Sequence, residues 1–276
     1  MRLSRIRMYP VKSTRGSDLT AATVEPWGLR DDRRWLVIDA AGDTLTARSN
    51  DRMLAVHAAP APDGGLTLTA PGYDPLTVPR PAADAERLPV TISRLDRCLA
   101  AGKPADAWLS EVLAEPVRLA WQDDPRRRAV GAQHGGRPGD QVSLADTGPL
   151  LLTTTASLSR LNEWVSATRS ERDEPAGEPL SMVRFRPNVV VDGAAIEPFA
   201  EDGWERVTIG SVPFRFAERC DRCVLTTIDP DTRAHGKEPI RTLSRHRRAD
   251  GKVWFGVRLI PLATGTIRLD DPITAD

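Results

Sequence analysis

Short runs in which apolar and polar residues alternate recur along most of the chain, and each run is typical of a half-buried β strand. The first run covers residues 2–11, and residues 33–45 predict two strands around an Ala-Gly-Asp turn. In residues 204–218 the pair Gly210-Ser211 interrupts the alternation and predicts a two-residue hairpin turn. Further strands are predicted in GGLTLTA (64–70), PVTIS (89–93), PNVVVDG (187–193) and residues 252–273.

Helical spacing of apolar residues is clear in residues 104–114 and 156–168, where these side chains fall on one helical face. Ser157 predicts the N-cap region of the second helix. The polar stretches 123–140 and 166–179, rich in Gly or Pro, are predicted as loops. Many short strands, few helices and 23 prolines favour a mainly β fold with α+β character, a β-barrel or mixed architecture, over a parallel βαβ sheet.

The charges of the chain balance, with 38 basic and 38 acidic residues and a net charge of +0. This balance lacks the basic footprint of a nucleic-acid-binding protein, although a local basic pocket is still compatible with it. The N-terminal residues have no apolar run of the signal-peptide type, and no window reaches the length of about 18 apolar residues that spans a membrane. We therefore expect a soluble cytoplasmic protein that binds neither nucleic acid nor membrane.

Two of the three cysteines, Cys220 and Cys223, form a C-x-x-C pair near the C-terminus. A structural zinc ion would need two more soft ligands, for which the chain offers only Cys98 and scattered histidines. A thioredoxin-like dithiol would begin a helix, but VLTTIDPDT follows the pair. A third interpretation is that one thiolate, favoured by Arg219 and Arg222, is a soft ligand of a metal cofactor. Spacing alone leaves the three alternatives open.

A second group of residues is suited to bind an anion. Lys12 and Ser13 end a predicted strand, RFRPN (184–188) supplies two arginines and an asparagine, and LTTTAS (152–157) places hydroxyls at a helix start. Lysine, the guanidinium fork, hydroxyls and a helix N-terminus all suit a terminal phosphate. Together with a reactive thiol, these residues suggest an anionic cofactor that carries a metal.

The whole chain resembles the MOSC-domain proteins that carry a companion N-terminal β-barrel domain, and among them the amidoxime-reducing molybdenum enzymes. The resemblance rests on an ordered series of motifs, of which C-x-R-C-x-x-T-T-x-D-P-D-T (220–232) is the most specific. The others are YPVKS (9–13), GLRDDRRWLVID (28–39), TAR (46–48), LADTGPLLLTTTASL (144–158), FRPNVVVDG (185–193), EDGWERVTIGSV (201–212), EPIRTL (238–243) and GTIRLDDPI (265–273).

The resemblance implies two β-rich domains, an N-terminal β-barrel domain over residues 1–115 and a MOSC β-barrel domain over 116–276. It implies that the first ~35 residues contribute to a cofactor pocket of the second domain. It also implies a molybdenum cofactor, in which a pterin dithiolene holds the metal, and the reduction of small N-hydroxylated compounds from N–OH to N–H. The chain ends at Asp276, after GTIRLDDPITAD. We expect electrons to come from a separate donor protein of the ferredoxin, flavoprotein or cytochrome type.

The resemblance also assigns individual residues. Cys223 is the expected sulfur ligand of molybdenum, and Cys220 is expected to be structural. Asp229 is expected close to the metal or beside the substrate. The residues expected to hold the pterin and its phosphate are Lys12, Ser13, Arg33, Thr154, Ser157, Arg186 and Asn188.

Two other functions compete with the reductase. A sulfur carrier would hold a persulfide on Cys223, or would bind molybdopterin only to pass it on, and MOSC domains also occur fused to cofactor sulfurases. A β-barrel binding module would merely bury its thiols. Three observations separate these functions. A reductase retains molybdenum, a sulfur carrier has an extra mass on Cys223 that a reductant removes, and a binding module loses stability in Cys223→Ser.

Overall fold

The computed structural model describes all 276 residues, and strands dominate it. The predicted mainly β fold with α+β character is confirmed. The helices are α1 (Lys103–Leu113), α2 (Thr155–Ser170) and α3 (Ile240–His246). The strands are β1 (Arg2–Met8), β2 (Ser17–Leu19), β3 (Ala21–Glu25), β4 (Gly28–Leu29), β5 (Trp35–Asp39), β6 (His57–Pro60), β7 (Leu66–Ala70), β8 (Tyr73–Val78), β9 (Arg87–Ile92), β10 (Leu95–Ala100), β11 (Val117–Trp121), β12 (Leu150–Thr154), β13 (Val189–Asp192), β14 (Arg206–Ile209), β15 (Val212–Asp221), β16 (Arg248–Ala249), β17 (Lys252–Pro261), β18 (Gly265–Arg268) and β19 (Ile273–Ala275).

The chain folds into two compact units that are interleaved in sequence. The C-terminal unit consists of Met1–Arg7, Leu19–Pro26 and Leu150–Asp276. The N-terminal unit consists of Met8–Asp18 and Trp27–Pro149. The division into domains at residues 115 and 116 stays a prediction.

The main sheet of the C-terminal unit has the strand order β19-β14-β15-β17-β12-β13-β1. Its neighbours are antiparallel except β12 and β13, which are parallel and are connected through α2. A parallel pair needs such a crossover, so one local βαβ unit exists within an otherwise antiparallel sheet. At the centre of the sheet, a Cβ on Gly256 would lie 2.8 Å from the Leu152 carbonyl oxygen, so only glycine permits this close approach of β17 to β12.

The predicted hairpin at Gly210-Ser211 is confirmed. Strands β14 and β15 pair in antiparallel register, with Ile209 opposite Val212 and the two predicted residues as the loop. Gly210 has φ of 58°, a left-handed conformation that this loop type requires and that glycine adopts without strain. Local alternation and turn chemistry were sufficient to place this element.

The helices of the C-terminal unit pack their apolar faces against the sheet. Leu161 of α2 and Leu243 of α3 are fully buried in one cluster with Phe185 and Phe255, whose rings stack at 4.0 Å between centroids. Helix α2 begins at Thr155 with Thr154 as N-cap, so the predicted N-cap at Ser157 was wrong. It also continues to Ser170, into the predicted loop 166–179.

The N-terminal unit contains a four-stranded sheet in the order β5-β11-β10-β9 and a three-stranded sheet in the order β6-β7-β8. The second strand predicted within residues 33–45 does not form, because only an isolated bridge joins Ile38 to Thr44 and β5 pairs with β11 instead. Buried Leu36, Leu88 and Cys98 belong to the core beneath the larger sheet. None of the three helices has the length and apolarity needed to cross a membrane.

Candidate functional site

Cys223 lies where the long strand β15 ends and the chain turns into a 3₁₀ helix over Val224–Thr227. The β15–β17 register shifts between Arg219 and Asp221, and such irregularities redirect side chains next to functional sites. The backbone carbonyl of Cys223 accepts hydrogen bonds from Thr226, from its N–H at 3.2 Å and its hydroxyl at 3.0 Å. The cysteine is exposed, so its thiol is accessible to a ligand.

Cys220 has the opposite environment. It is 4% exposed, and Nη1 of Arg222 lies 2.7 Å from its Sγ. Nη2 of the same guanidinium donates to the Phe185 carbonyl at 2.8 Å. The second arginine of the motif, Arg219, stacks over Trp254 at 4.9 Å. Of the two arginines expected to favour a thiolate, Arg222 thus contacts Cys220, while Arg219 packs on Trp254.

Asp229 organises the loop that follows Cys223. Its Oδ1 accepts hydrogen bonds from the N–H groups of Asp231 and Thr232 and from the Thr232 hydroxyl, at 2.8–3.0 Å. Its Oδ2 accepts from Arg184 Nη2 at 2.6 Å. Donation from the Thr232 N–H is the largest cause that lowers the pKa of Asp229, and Arg184 adds to it. Asp229 is an ionised anchor of this loop.

Arg184, which anchors this loop through Asp229, was missed by sequence reasoning. RFRPN offered two arginines, and the prediction chose Arg186, which ends the 3₁₀ turn Met182–Phe185 with φ of 56°. The side chain of Arg184 is 13% exposed and burial lowers its pKa, an effect that the Asp229 carboxylate opposes. The sequence offers Arg184 and Arg186 two positions apart, and nothing in it shows which of the two contacts this loop.

Thr154 and Ser157 are brought together, but their hydroxyls are buried. Both residues are 0% exposed, and the Ser157 hydroxyl donates to the Glu201 carboxylate at 2.7 Å. The Thr154 hydroxyl lies 2.8 Å from that of Ser157 and 3.2 Å from Glu201 Oε2. Burial is the largest cause that raises the pKa of Glu201. These side chains stabilise the start of α2, and their assignment to the cofactor stays a prediction.

Asn188 connects strands through its side-chain amide. It is 1% exposed, its Oδ1 accepts from the Leu151 N–H at 3.2 Å and its Nδ2 donates to the Arg7 carbonyl at 3.2 Å. The amide therefore fixes the edges of β12 and β1 on either side of β13. Its predicted contact with a pterin is not tested by this geometry.

In the N-terminal unit, Lys12 and Arg33 belong to a buried basic cluster. Lys12 Nζ donates to the Leu144 carbonyl at 3.0 Å and pairs with Asp146. Burial, the largest cause, lowers the pKa of Lys12, and the positive charges of Arg128 and Arg33 add to this effect. A buried ammonium near two guanidinium groups favours an incoming anion. Lys12 and Arg33, both predicted to hold the pterin and its phosphate, are thus close enough for their charges to interact.

Two residues at this cluster, Ser13 and Arg33, have unusual backbone conformations. Ser13 and Arg33 both have positive φ, 69° and 48°, which is uncommon for residues other than glycine. Arg33 pairs with Asp32 at 2.6 Å and covers the Tyr9 ring at 4.5 Å from the centroid. Burial, the largest single cause, lowers the pKa of Arg33. The combined effects of Asp32 and Tyr9 exceed it, so the pKa of Arg33 is raised.

Arg128 is a further member of the cluster that sequence reasoning missed. It is 1% exposed and burial lowers its pKa to about 10. Its guanidinium donates to the carbonyls of Ser93, Ser143, Ala145 and Asp146. Arg128 therefore fixes the loop that presents Asp146 to Lys12. It belongs to the run RRR (126–128) in a stretch predicted as a loop, and nothing in that run singles out one arginine.

Comparison with known proteins identifies two domain families in the chain. Residues 1–116 match the MOSC N-terminal beta barrel domain, and residues 139–274 match the MOSC domain. The chain is 31% identical to human mitochondrial amidoxime-reducing component 1, over 98% of this chain and 82% of the human protein. It is 34% identical to the mouse protein of the same name, over 98% of this chain and 81% of that protein. The zebrafish molybdenum cofactor sulfurase is 32% identical over 93% of this chain but only 31% of its own length.

Proposed function

The chain belongs to the family of the mitochondrial amidoxime-reducing components, and from this membership we propose that it is a molybdenum-cofactor-dependent oxidoreductase that reduces N-hydroxylated compounds. The net reaction takes an N–OH group, two electrons and two protons, and gives N–H and water. The proposed substrates are small amidoximes and related N-hydroxylated bases. A separate electron-donor protein would supply the electrons.

The observation that carries the proposal is the exposed thiol of Cys223 at the start of the turn in the motif CDRCVLTTIDPDT. A thiolate is a soft ligand that suits a metal already bound by the sulfur atoms of a dithiolene. No group of three or more His, Cys, Asp or Glu side chains is arranged to hold a metal ion. The exposed Cys223 thiol fits a cofactor to which the protein adds one sulfur ligand.

When bound, the cofactor would supply the two-electron reduction at the N–O bond. The chain itself would position the thiol, because Asp229 fixes the loop after Cys223 through three hydrogen bonds and the Arg184 ion pair. Cys220 and Arg222 would fix the strand end before it. Supports of this kind around a metal ligand tune its orientation and affinity.

The contacts to the pterin and its phosphate remain predictions from the resemblance. Lys12 and Arg33 carry buried positive charge of the kind that a phosphate neutralises. For Thr154 and Ser157 we propose a positioning role. Their hydroxyls donate hydrogen bonds to Glu201 and thereby fix the start of α2.

The test is turnover of benzamidoxime, a simple aryl amidoxime, by protein purified from a host that makes the molybdenum cofactor. Reduced methyl viologen replaces the donor protein, and benzamidine is measured. We expect turnover by the wild type and none by protein from cells grown on tungstate in place of molybdate. Wild-type protein that carries molybdenum but reduces no N-hydroxylated substrate would contradict the proposal.

A sulfur carrier is the second candidate. It is favoured by the accessible Cys223 thiol and by the similarity to a molybdenum cofactor sulfurase. Such a protein would carry one extra sulfur atom on Cys223, visible by intact mass and removed by a thiol reductant, and would retain no metal.

A further inference from the structure

A cavity of about 430 Å³ lies in the C-terminal unit, beside the loop that follows Cys223. Thr227 and Asp229 of that loop line it, together with residues from the C-terminal end of α2 and the beginning of α3. Cys223 does not line the cavity. Its volume is within the range of pockets that hold small molecules, so it is a candidate binding site separate from the thiol.

The three carboxylates in the cavity wall lie beside two arginines, one of which serves two of them. Arg241 donates to Glu174 through both terminal nitrogens, at 2.5 and 2.7 Å, and through Nε to Glu238 at 2.6 Å. Asp229 pairs with Arg184 at 2.6 Å. Each acidic side chain of the wall therefore has an arginine partner.

Two cationic side chains of the wall have no such partner. Neither Arg169 nor Lys237 makes an ion pair or a hydrogen bond through its side chain. The Arg169 guanidinium lies against the backbone of Gly177, where a Cβ would be 1.5 Å from Nη1. It is also close enough to Arg184 for the two positive charges to oppose each other. The wall thus has an excess of positive charge that attracts an anion.

We propose that this cavity binds a small organic carboxylate, with Arg169 and Lys237 as its charge partners. The planar guanidinium fork matches the two oxygens of a carboxylate. Leu180 and Ala234 provide an apolar wall for a carbon skeleton, and the volume is far larger than a simple ion requires. The three internal ion pairs remain in place when the ligand binds.

The site goes beyond the proposed reductase function, because its binding needs neither molybdenum nor the Cys223 thiol. The ligand would occupy the cavity that is lined by Thr227 of the loop that begins at Cys223, with its carboxylate held by Arg169 and Lys237 among the other wall residues. Binding is therefore expected to be equal in the wild type and in Cys223→Ser.

The experiment is calorimetric titration of the full chain with benzoate and citrate, alongside inorganic phosphate at the same ionic strength. We expect saturable binding of at least one carboxylate, weakened roughly tenfold or more in Arg169→Gln and in Lys237→Gln. Arg160→Gln is the matched control, because Arg160 lies on the same helix with its side chain 46% exposed and outside the cavity wall. Its affinity is expected to equal that of the wild type.

Lys237 is exposed, so its variant keeps the test valid even where Arg169→Gln folds poorly. A Gly177→Ala variant adds a second check, since it displaces the Arg169 guanidinium without removing its charge. The proposal is overturned by a wild type that binds neither carboxylate, or by charge variants that bind as tightly as the wild type. Phosphate that binds more tightly than both carboxylates would also overturn the assignment to organic acids.

Discussion

Glu201 and Asp229 are carboxylates of the same unit, and both accept hydrogen bonds from hydroxyl groups, yet their pKa values shift in opposite directions. Glu201 is 0% exposed, and burial, which disfavours its charge, raises its pKa. The Asp229 side chain is 29% exposed and receives backbone N–H groups and a guanidinium. The first region stabilises a helix start, whereas the second shapes an accessible loop. Accessibility and the kind of hydrogen-bond donor, more than residue type, thus set the direction of each pKa shift.

The largest expected effect is at the accessible loop. Cys223→Ser should reduce amidoxime turnover by at least roughly 100-fold, because it removes the proposed metal ligand. The thermal midpoint should stay within about 2 °C of the wild type, since the residue is exposed. A parallel assay of turnover and thermal unfolding checks both. A variant that keeps wild-type turnover would show that Cys223 is not the ligand.

The largest expected loss of stability is at the buried region. Glu201→Ala leaves the buried hydroxyls of Thr154 and Ser157 without their acceptor and opens a cavity, which should cost about 2–4 kcal/mol in the free energy of unfolding. Urea unfolding followed by circular dichroism measures this loss. The matched control is Glu163→Ala on α2, whose side chain is 62% exposed and whose loss should be below about 0.5 kcal/mol. Equal losses in the two variants would argue against the network.

A smaller effect is expected at Asp229. Asp229→Asn weakens the hydrogen bonds to a charged acceptor and should cost about 1 kcal/mol at neutral pH. The pKa of Asp229 is lowered in the folded state, so its contribution is present above the ordinary value of 3.8 and is lost as the pH falls through the folded-state value. Urea unfolding of both proteins at a series of pH values should show the difference shrinking on acidification. A difference that grows in acid would contradict the assigned direction.

The smallest effect has the opposite sign. The pKa of Glu201 is raised, so its contribution is full below the ordinary value of 4.5 and declines as the pH rises through the folded-state value. Glu201→Gln keeps the shape and an acceptor oxygen but does not ionise, so it should gain stability relative to the wild type as the pH rises. Unfolding curves of the two proteins over this range measure the gain. If the stability difference were independent of pH, Glu201 would not have a raised pKa.

Much of this organisation could be predicted from the sequence where short-range chemistry decides it. Alternation and a glycine placed the hairpin at Gly210-Ser211. The motif at 220–232 singled out Cys223, which the structure shows exposed at the start of a 3₁₀ turn. The predicted second strand after Gly42 was wrong, because β5 pairs with the distant strand β11 instead. Pairing across more than seventy residues leaves no local signal.

Glu201, Arg128 and Arg184 could not be predicted from the sequence. Glu201 lies in a stretch with neither helical nor strand periodicity, and its role appears only when Ser157 and Thr154 fold onto it. Arg128 and Arg184 are two of 34 arginines, and only tertiary contacts identify them. Sequence patterns thus singled out Cys223 but gave no signal for Glu201, Arg128 or Arg184.

Elemental mass spectrometry of the wild type, purified from a host that makes the molybdenum cofactor, decides between the reductase and the sulfur carrier. We expect about one molybdenum per chain in the wild type, and its loss or weak retention in Cys223→Ser at unchanged thermal stability. A well-folded wild type without molybdenum, with a reducible sulfur on Cys223, would contradict the reductase and favour the sulfur carrier.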